Sequence, residues 1–347
     1  MNGPLAEAIS AAAALAEQAQ WQQALEVLRN ANARQPHASL QQAMVDLRIR
    51  AGRLRPATPP QAALSSIVEP PRLAPGDIPE IPATELSAQR LYDAIHGCGA
   101  AIVRGLLPPE RAAELRALID RVVAARRQPE LAPPREASAA WYVRSTEVKG
   151  TPAQFFASPD EPPTESSSIW VADSPRVACE LLDLYNALGL SDLLQAYFGE
   201  PARLSVKKWV LRKIAPKPKG DAGWHQDGQF LGEDIQTVNL WLALSDCGGA
   251  APAPGIDLVI DGRRELHPTG TDGAWFDWTV GPERVARVAS SCGITQPRFA
   301  PGDALFFDHF NLHRTAFDTH HTAVRYAIES WFFAASTAPM KQKPLIL

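Results

Sequence analysis

The chain has 347 residues, is 46% hydrophobic and carries a net charge of −4, so it can bury one large core with a smaller unit beside it and leaves little room for extensive disorder. The slightly acidic balance supplies no basic field for nucleic acid, and no run approaches the roughly 18 consecutive apolar residues of a membrane helix. Four cysteines lack CxxC spacing, and the N-terminus lacks the basic flank and apolar core of a signal peptide, which predicts a reducing cytoplasm.

Residues 4–55 are rich in Ala, Leu, Gln and Arg, with Pro36 between two helical patterns, and predict an α-helical hairpin. The stretch WQQALEVLRNANARQP resembles the second half of a tetratricopeptide repeat, with Ala24, Leu28, Ala31 and Pro36 at its packing and stop positions. A single repeat cannot bury a continuous core, so a hairpin that packs on the next domain or dimerises is the other reading. Residues 56–84 are crowded with proline and predict an extended linker. A helix in ELSAQRLYDAIHG, a strand in AAIVRG and a long helix from Pro109 to near Arg127 follow. Residues 128–168 read as irregular, in the manner of a lid or binding loop.

After a helical pattern over 174–198, the segments RLSVKKWVLRKI, TVNLWLAL, DALFFDHF and VRYAIESWFFA are rich in β-branched and aromatic residues and are separated by Gly, Pro and Asp clusters. Short strands with such turns predict a barrel or jelly roll, and the position of the long helices before them argues against a doubly wound sheet.

Within GWHQDGQF, His225 and Asp227 stand two apart; on a strand both would project to one face with Gln226 on the other. A second histidine would complete a facial triad of two histidines and one carboxylate, which leaves coordination positions open on Fe(II). Candidates are His267, His309, His313, His320 and His321. His313 follows the strong strand DALFFDHF and precedes the arginine-bearing strand AVRYAIESWFF.

Four linked features resemble the phytanoyl-CoA dioxygenase family over roughly residues 86–335. They are WHQD at 224–227, an apolar strand containing Trp241, the PGD turn at 301–303 leading into LFFDHFNLH, and an arginine twelve residues beyond His313. The resemblance implies an α+β fold: a double-stranded β-helix (jelly-roll, cupin-like) core with flanking helices. It implies iron ligation by His225, Asp227 and His313, and capture of the far carboxylate of 2-oxoglutarate by Arg325 with help from the Thr315 hydroxyl. Trp241 would lie beside the cosubstrate. The implied cofactors are Fe(II), 2-oxoglutarate and O2, and the implied reaction hydroxylates a small-molecule or carrier-borne substrate with release of succinate and CO2. A carboxylate at 227 favours hydroxylation over halogenation, whereas desaturation, epimerisation and cyclisation use the same ligands.

His309 stands sixteen residues before Arg325, off the family spacing, and His320 and His321 read as exposed loop histidines. Lys208, Arg212 and Lys213 include a possible second cation for the cosubstrate or form a solvated strand face. The family's NGPL-like segment and VxPGSH turn are replaced by a longer insert, CGGAAPAPGIDLVIDGRRELHPTGTDGAWFDW, which changes the expected substrate; Arg263 and Arg264 within it read as surface charge. Residues 125–170 and 250–280 are expected to wall the entrance. The domain reading is 1–55 helical hairpin, 56–84 linker and 85–347 dioxygenase domain. Alternatives are a scaffold that has lost turnover and docks a protein partner through residues 1–55, and a cupin isomerase or an oxygenase that needs no 2-oxoglutarate.

Overall fold

A computed structural model describes residues 3–56, 64–65, 73–127, 140–143, 166–216 and 223–347. The expected lid over 128–168 falls almost wholly outside the described residues, as do Pro59, Pro60, Pro70 and Pro71 of the expected linker. Among the described residues, no helix is long and apolar enough to cross a membrane.

The chain opens with three helices, α1 (Pro4–Glu17), α2 (Trp21–Arg34) and α3 (Ala38–Gly52), and not with the expected two. The extra break at 18–20 has neither Gly nor Pro; Ala19 takes the left-handed conformation at φ 59° to turn the chain. Ala24 and Leu28, two of the repeat-like positions, are buried between the helices. Next come β1 (Glu80–Pro82), α4 (Ala88–Cys98), β2 (Ala100–Arg104) and α5 (Pro109–Arg127). Strand β1 lies inside the stretch that reads as linker. It is an edge strand paired in parallel with β2 alone, where proline costs no inward hydrogen bond. Helix α4 begins where the Ser87 side chain accepts from Arg90 N–H and ends at Gly99 with φ 92°.

The remaining elements are β3 (Ser167–Trp170), α6 (Pro175–Ala187), α7 (Leu190–Phe198), β4 (Ala202–Ile214), α8 (Gly228–Leu231), β5 (Thr237–Ala243), β6 (Ile256–Val259), α9 (Pro282–Ala289), β7 (Ala304–Phe307), β8 (Leu312–Thr315), β9 (Arg325–Ala334) and β10 (Pro344–Ile346). The larger sheet runs β1-β2-β7-β5-β9-β4-β10, with β3 also on β4, and a second sheet pairs β6 with β8. Because side chains alternate, central β5 feeds two cores. Val238, Leu240 and Leu242 pack outward with α4 to α7, in the cluster that holds Leu91, Leu115, Leu181 and Leu194. Trp241 and Ala243 point inward with Leu305, Phe307, Trp331 and Phe333, and meet Ile256 and Leu258 of the small sheet. The inner space between these two sheets carries the candidate site.

The N-terminal helices are joined to this body through α3. Val45 and Ile49 belong to the main outer core, and buried Arg48 donates to the carbonyl of Ile346. Gly52 packs so closely on β10 that a Cβ there would lie 2.1 Å from the Pro344 carbonyl oxygen.

Candidate metal centre

His225 and His313 are cross-strand neighbours: each backbone N–H donates to the other's carbonyl, at 2.9 and 3.0 Å. Their rings therefore meet, with centroids 4.4 Å apart. Asp227 departs from the expected strand geometry. Extended chain ends at Gln226, and Asp227 takes helical angles as the residue before α8. Gln226 still points away, where its amide donates to the carbonyls of Glu265 and Phe310 and its oxygen accepts from His267 N–H. That anchoring turns Asp227 toward the two imidazoles. One donor atom from each of His225, Asp227 and His313 lies within 4.8 Å of the other two.

Both rings are oriented by the chain itself. His225 Nδ1 lies 3.1 Å from the Gly223 carbonyl, and His313 Nδ1 lies 3.0 Å from that of Asn311. A carbonyl can only accept, so each Nδ1 carries the proton and each Nε2 keeps its lone pair for a metal. Burial, reinforced by the charge of His313, pushes the His225 pKa down to about 4, which holds the neutral, ligating form. Burial would raise the Asp227 carboxyl, but Lys208 and the two imidazoles outweigh it and hold the pKa far below the usual range. Lys208 Nζ donates to Asp227 Oδ1 at 2.6 Å, leaving Oδ2 3.6 Å from His313 Nε2. A dication fits this set of two neutral nitrogens and one ionised oxygen.

Further along the inner face of β9 lie Glu329 and Arg325. Glu329 accepts from Arg212 Nε at 3.0 Å and from its Nη2. The charges of Arg212 and Lys208 depress the Glu329 pKa against its burial. Arg325, four residues from Glu329 and so roughly 13 Å along the strand, is buried. It donates through Nη1 to the Gly255 carbonyl at 2.9 Å, while its Nε is buried without a partner among the described residues. Its guanidinium lies 5.5 Å from the centroid of Trp241, whose cross-strand partner is Glu329. Burial lowers the Arg325 pKa to about 10. Thr315 closes β8, on the face shared with His313 by alternation.

The rival histidines are otherwise engaged. His309 is fully buried, with Nδ1 3.0 Å from the Thr237 hydroxyl and Nε2 3.0 Å from the Glu233 carbonyl. His320 is exposed, but His321, although in the loop, is 2% exposed and accepts from the Asp318 N–H, so it is not the exposed histidine expected. His267 is buried outside the triad. Arg264 pairs with buried Asp308 and Arg263 with Asp261. Lys208 and Arg212 are inward partners of acids and not a solvated face, whereas Lys213 reaches outward to Asp120. Glu329 is not among the residues singled out from the sequence, although it is the one charged residue in the run AIESWFFA.

Among solved structures, EctD from S. alaskensis with bound Fe is similar over 80% of this chain and 85% of its own, at 17% identity and a TM-score of 0.53. The same protein with 2-oxoglutarate and 5-hydroxyectoine is similar over 82% and 86%, at 16% identity and 0.51. The epimerase SnoN in complex with Fe3+, alpha ketoglutarate and nogalamycin RO is similar over 71% and 83%, at 15% identity and 0.47. At these identities the likeness to EctD shows the fold, a double-stranded β-helix, and nothing further. No curated protein matches the chain. The family model described as phytanoyl-CoA dioxygenase matches residues 95–317, a segment that contains the triad, Trp241 and Thr315 and stops short of Arg325. With more than half of its length matched, the chain belongs to the phytanoyl-CoA dioxygenase family.

Proposed function

We propose that the protein is a non-haem Fe(II)- and 2-oxoglutarate-dependent dioxygenase that hydroxylates a small-molecule or carrier-borne substrate. The observation that carries this reading is the triad His225, Asp227 and His313, whose two imidazoles are held by backbone carbonyls with Nε2 turned to a common point. Two imidazoles and one carboxylate leave open positions, as Fe(II) needs for a bidentate keto acid and dioxygen. When bound, that set supplies the oxidant that removes hydrogen from the substrate, with 2-oxoglutarate converted to succinate and CO2.

The residues around the triad divide the remaining work. Lys208 fixes Asp227 through Oδ1, so the carboxylate offers Oδ2 alone to the metal. The unpartnered Nε of Arg325 is a buried donor that a carboxylate would satisfy, which suits the far end of 2-oxoglutarate. Thr315 could donate one more hydrogen bond there, and Trp241 covers the guanidinium. Bound Fe and bound 2-oxoglutarate in the similar EctD structures lend support to the same pair of ligands here. An intact set of ligands with its arginine favours turnover over a retired scaffold. A protein partner at residues 1–55 would meet α1 and α2, because α3 is committed to the body of the fold. The four cysteines are unpaired, which supports a reducing cytoplasm.

Ligands that bind only the folded state raise the melting temperature. Mn(II) or Fe(II) together with 2-oxoglutarate, without oxygen, should therefore raise it beyond the metal alone, and succinate should form once oxygen is admitted. No shift with both ligands present contradicts the reading.

A further inference from the structure

We propose that the substrate of this site carries a planar aromatic ring system, which stacks on a wall built by Phe230, Phe276 and Trp278; this rests on the oxygenase reading above. His225 is half-buried whereas Asp227 and His313 are buried, so the solvent side of the triad is the His225 side. Its ring neighbours there are Trp278, with centroids 5.9 Å apart, and Phe230, at 6.5 Å. Phe230 and Trp278 lie 5.9 Å apart, and Phe276 continues the surface outward, stacked on Trp278 at 5.7 Å with planes only 8° apart. Trp275, the preceding residue in the sequence, is 76% exposed, and Phe276 is 47% exposed. A run of rings that begins against His225 and ends at exposed Phe276 is apolar surface that the described residues leave uncovered, and such surface marks a binding site.

The wall is held ready. Thr279 N–H donates to the Phe276 carbonyl at 3.0 Å, and the Thr279 hydroxyl bridges the same turn. Val280 and Trp224 form an antiparallel bridge that ties this turn to the strand leading into His225. Gly223 leaves room for Thr279, whose Cγ2 would lie 2.6 Å from a Cβ at that position. The parallel Phe276–Trp278 pair, with Phe230 inclined at 54° to Trp278, favours a flat ligand: a π-face gains quadrupole complementarity as well as area, which a puckered saturated ring does not.

The full-length protein, loaded anaerobically with Fe(II) and 2-oxoglutarate, is titrated by calorimetry with 2-naphthol and with decahydro-2-naphthol, its saturated counterpart. The aromatic probe should bind roughly tenfold more tightly, perturb the visible charge-transfer band, and lose its advantage in Trp278→Ala. Phe276→Ala, at a half-exposed position, should reduce the advantage without risk to the core. Equal affinities, no binding of either probe, or a preference that survives both substitutions overturns the proposal. If no charge-transfer band forms before the probe is added, the oxygenase reading fails instead, and the calorimetric comparison still tests the wall.

Discussion

Lys208 donates to one oxygen of Asp227 at 2.6 Å, while the other oxygen of the same carboxylate faces His313 at 3.6 Å. The lysine thus holds the carboxylate by the oxygen that is turned away from His313. With side-chain exposures of 26% for Lys208 and 3% for Asp227, removing the lysine leaves a buried carboxylate without its counter-charge. Lys208→Met should cost the metal-free protein about 2 kcal/mol, less than a fully buried pair because the lysine is partly solvated. A dication at the triad restores the missing charge. The melting-temperature gain on adding Mn(II) should therefore be larger in Lys208→Met than in wild type; an equal or smaller gain would show that the pair does not act on the metal site.

Arg325 offers the complementary test at the far end of the inner face. Hydrogen bonds to charged groups contribute about 1.5–3 kcal/mol. Arg325→Met keeps much of the packing over Trp241 but removes the donors, so the affinity for 2-oxoglutarate should fall roughly 10- to 100-fold. Mn(II) affinity should change little. Anaerobic calorimetry with metal and then keto acid separates the two effects.

The histidines make the metal-free protein acid-sensitive. Burial holds His96 and His225 at pKa values of about 4, against 6.5 when free, with Arg264 adding to the effect at His96 and His313 at His225. Below pH 6.5 the unfolded chain takes up protons that the folded chain refuses, so stability is fully present above 6.5 and declines as pH falls toward 4. Melting temperatures in EDTA, measured across that window, should show this decline, with a shallower slope in His96→Asn. An unchanged slope would mean that the ring is not held neutral.

Gly52 tests how firmly the N-terminal helices are joined to the rest. Alanine is the better helix former by about 1 kcal/mol, yet its Cβ would meet the Pro344 carbonyl oxygen at 2.1 Å, and backbone cannot rotate away. Gly52→Ala should be destabilising on balance, by roughly 1–3 kcal/mol in denaturant titration. A stabilised variant would indicate that α3 is not docked on β10.

The cluster of His225, Asp227 and His313 is legible in the sequence because its parts are local: two of the three share one tetrapeptide, and the third follows a strong strand twelve residues before an arginine. The surrounding charges are harder to read. In RLSVKKWVLRKI the cations at 207, 208, 212 and 213 fall on both faces, so alternation alone does not tell which face is inward. The acids that pair with Lys208, Arg212 and Lys213, namely Asp227, Glu329 and Asp120, come from other segments. Glu329 left a signal of its own, an acid in a strand otherwise fit for full burial. The break between α1 and α2 left none, because Ala19 adopts a conformation that its residue type disfavours. Strands β6, β8 and β10 have three or four residues each, too few for periodicity to register.

The most direct measurement is anaerobic titration of the Fe(II)-loaded protein with 2-oxoglutarate, followed by visible absorption. A weak charge-transfer band that saturates with the keto acid, is absent in His313→Ala and needs far more 2-oxoglutarate in Arg325→Met is the predicted result. A metal-loaded protein that never develops the band contradicts the account of the triad as an iron and 2-oxoglutarate site.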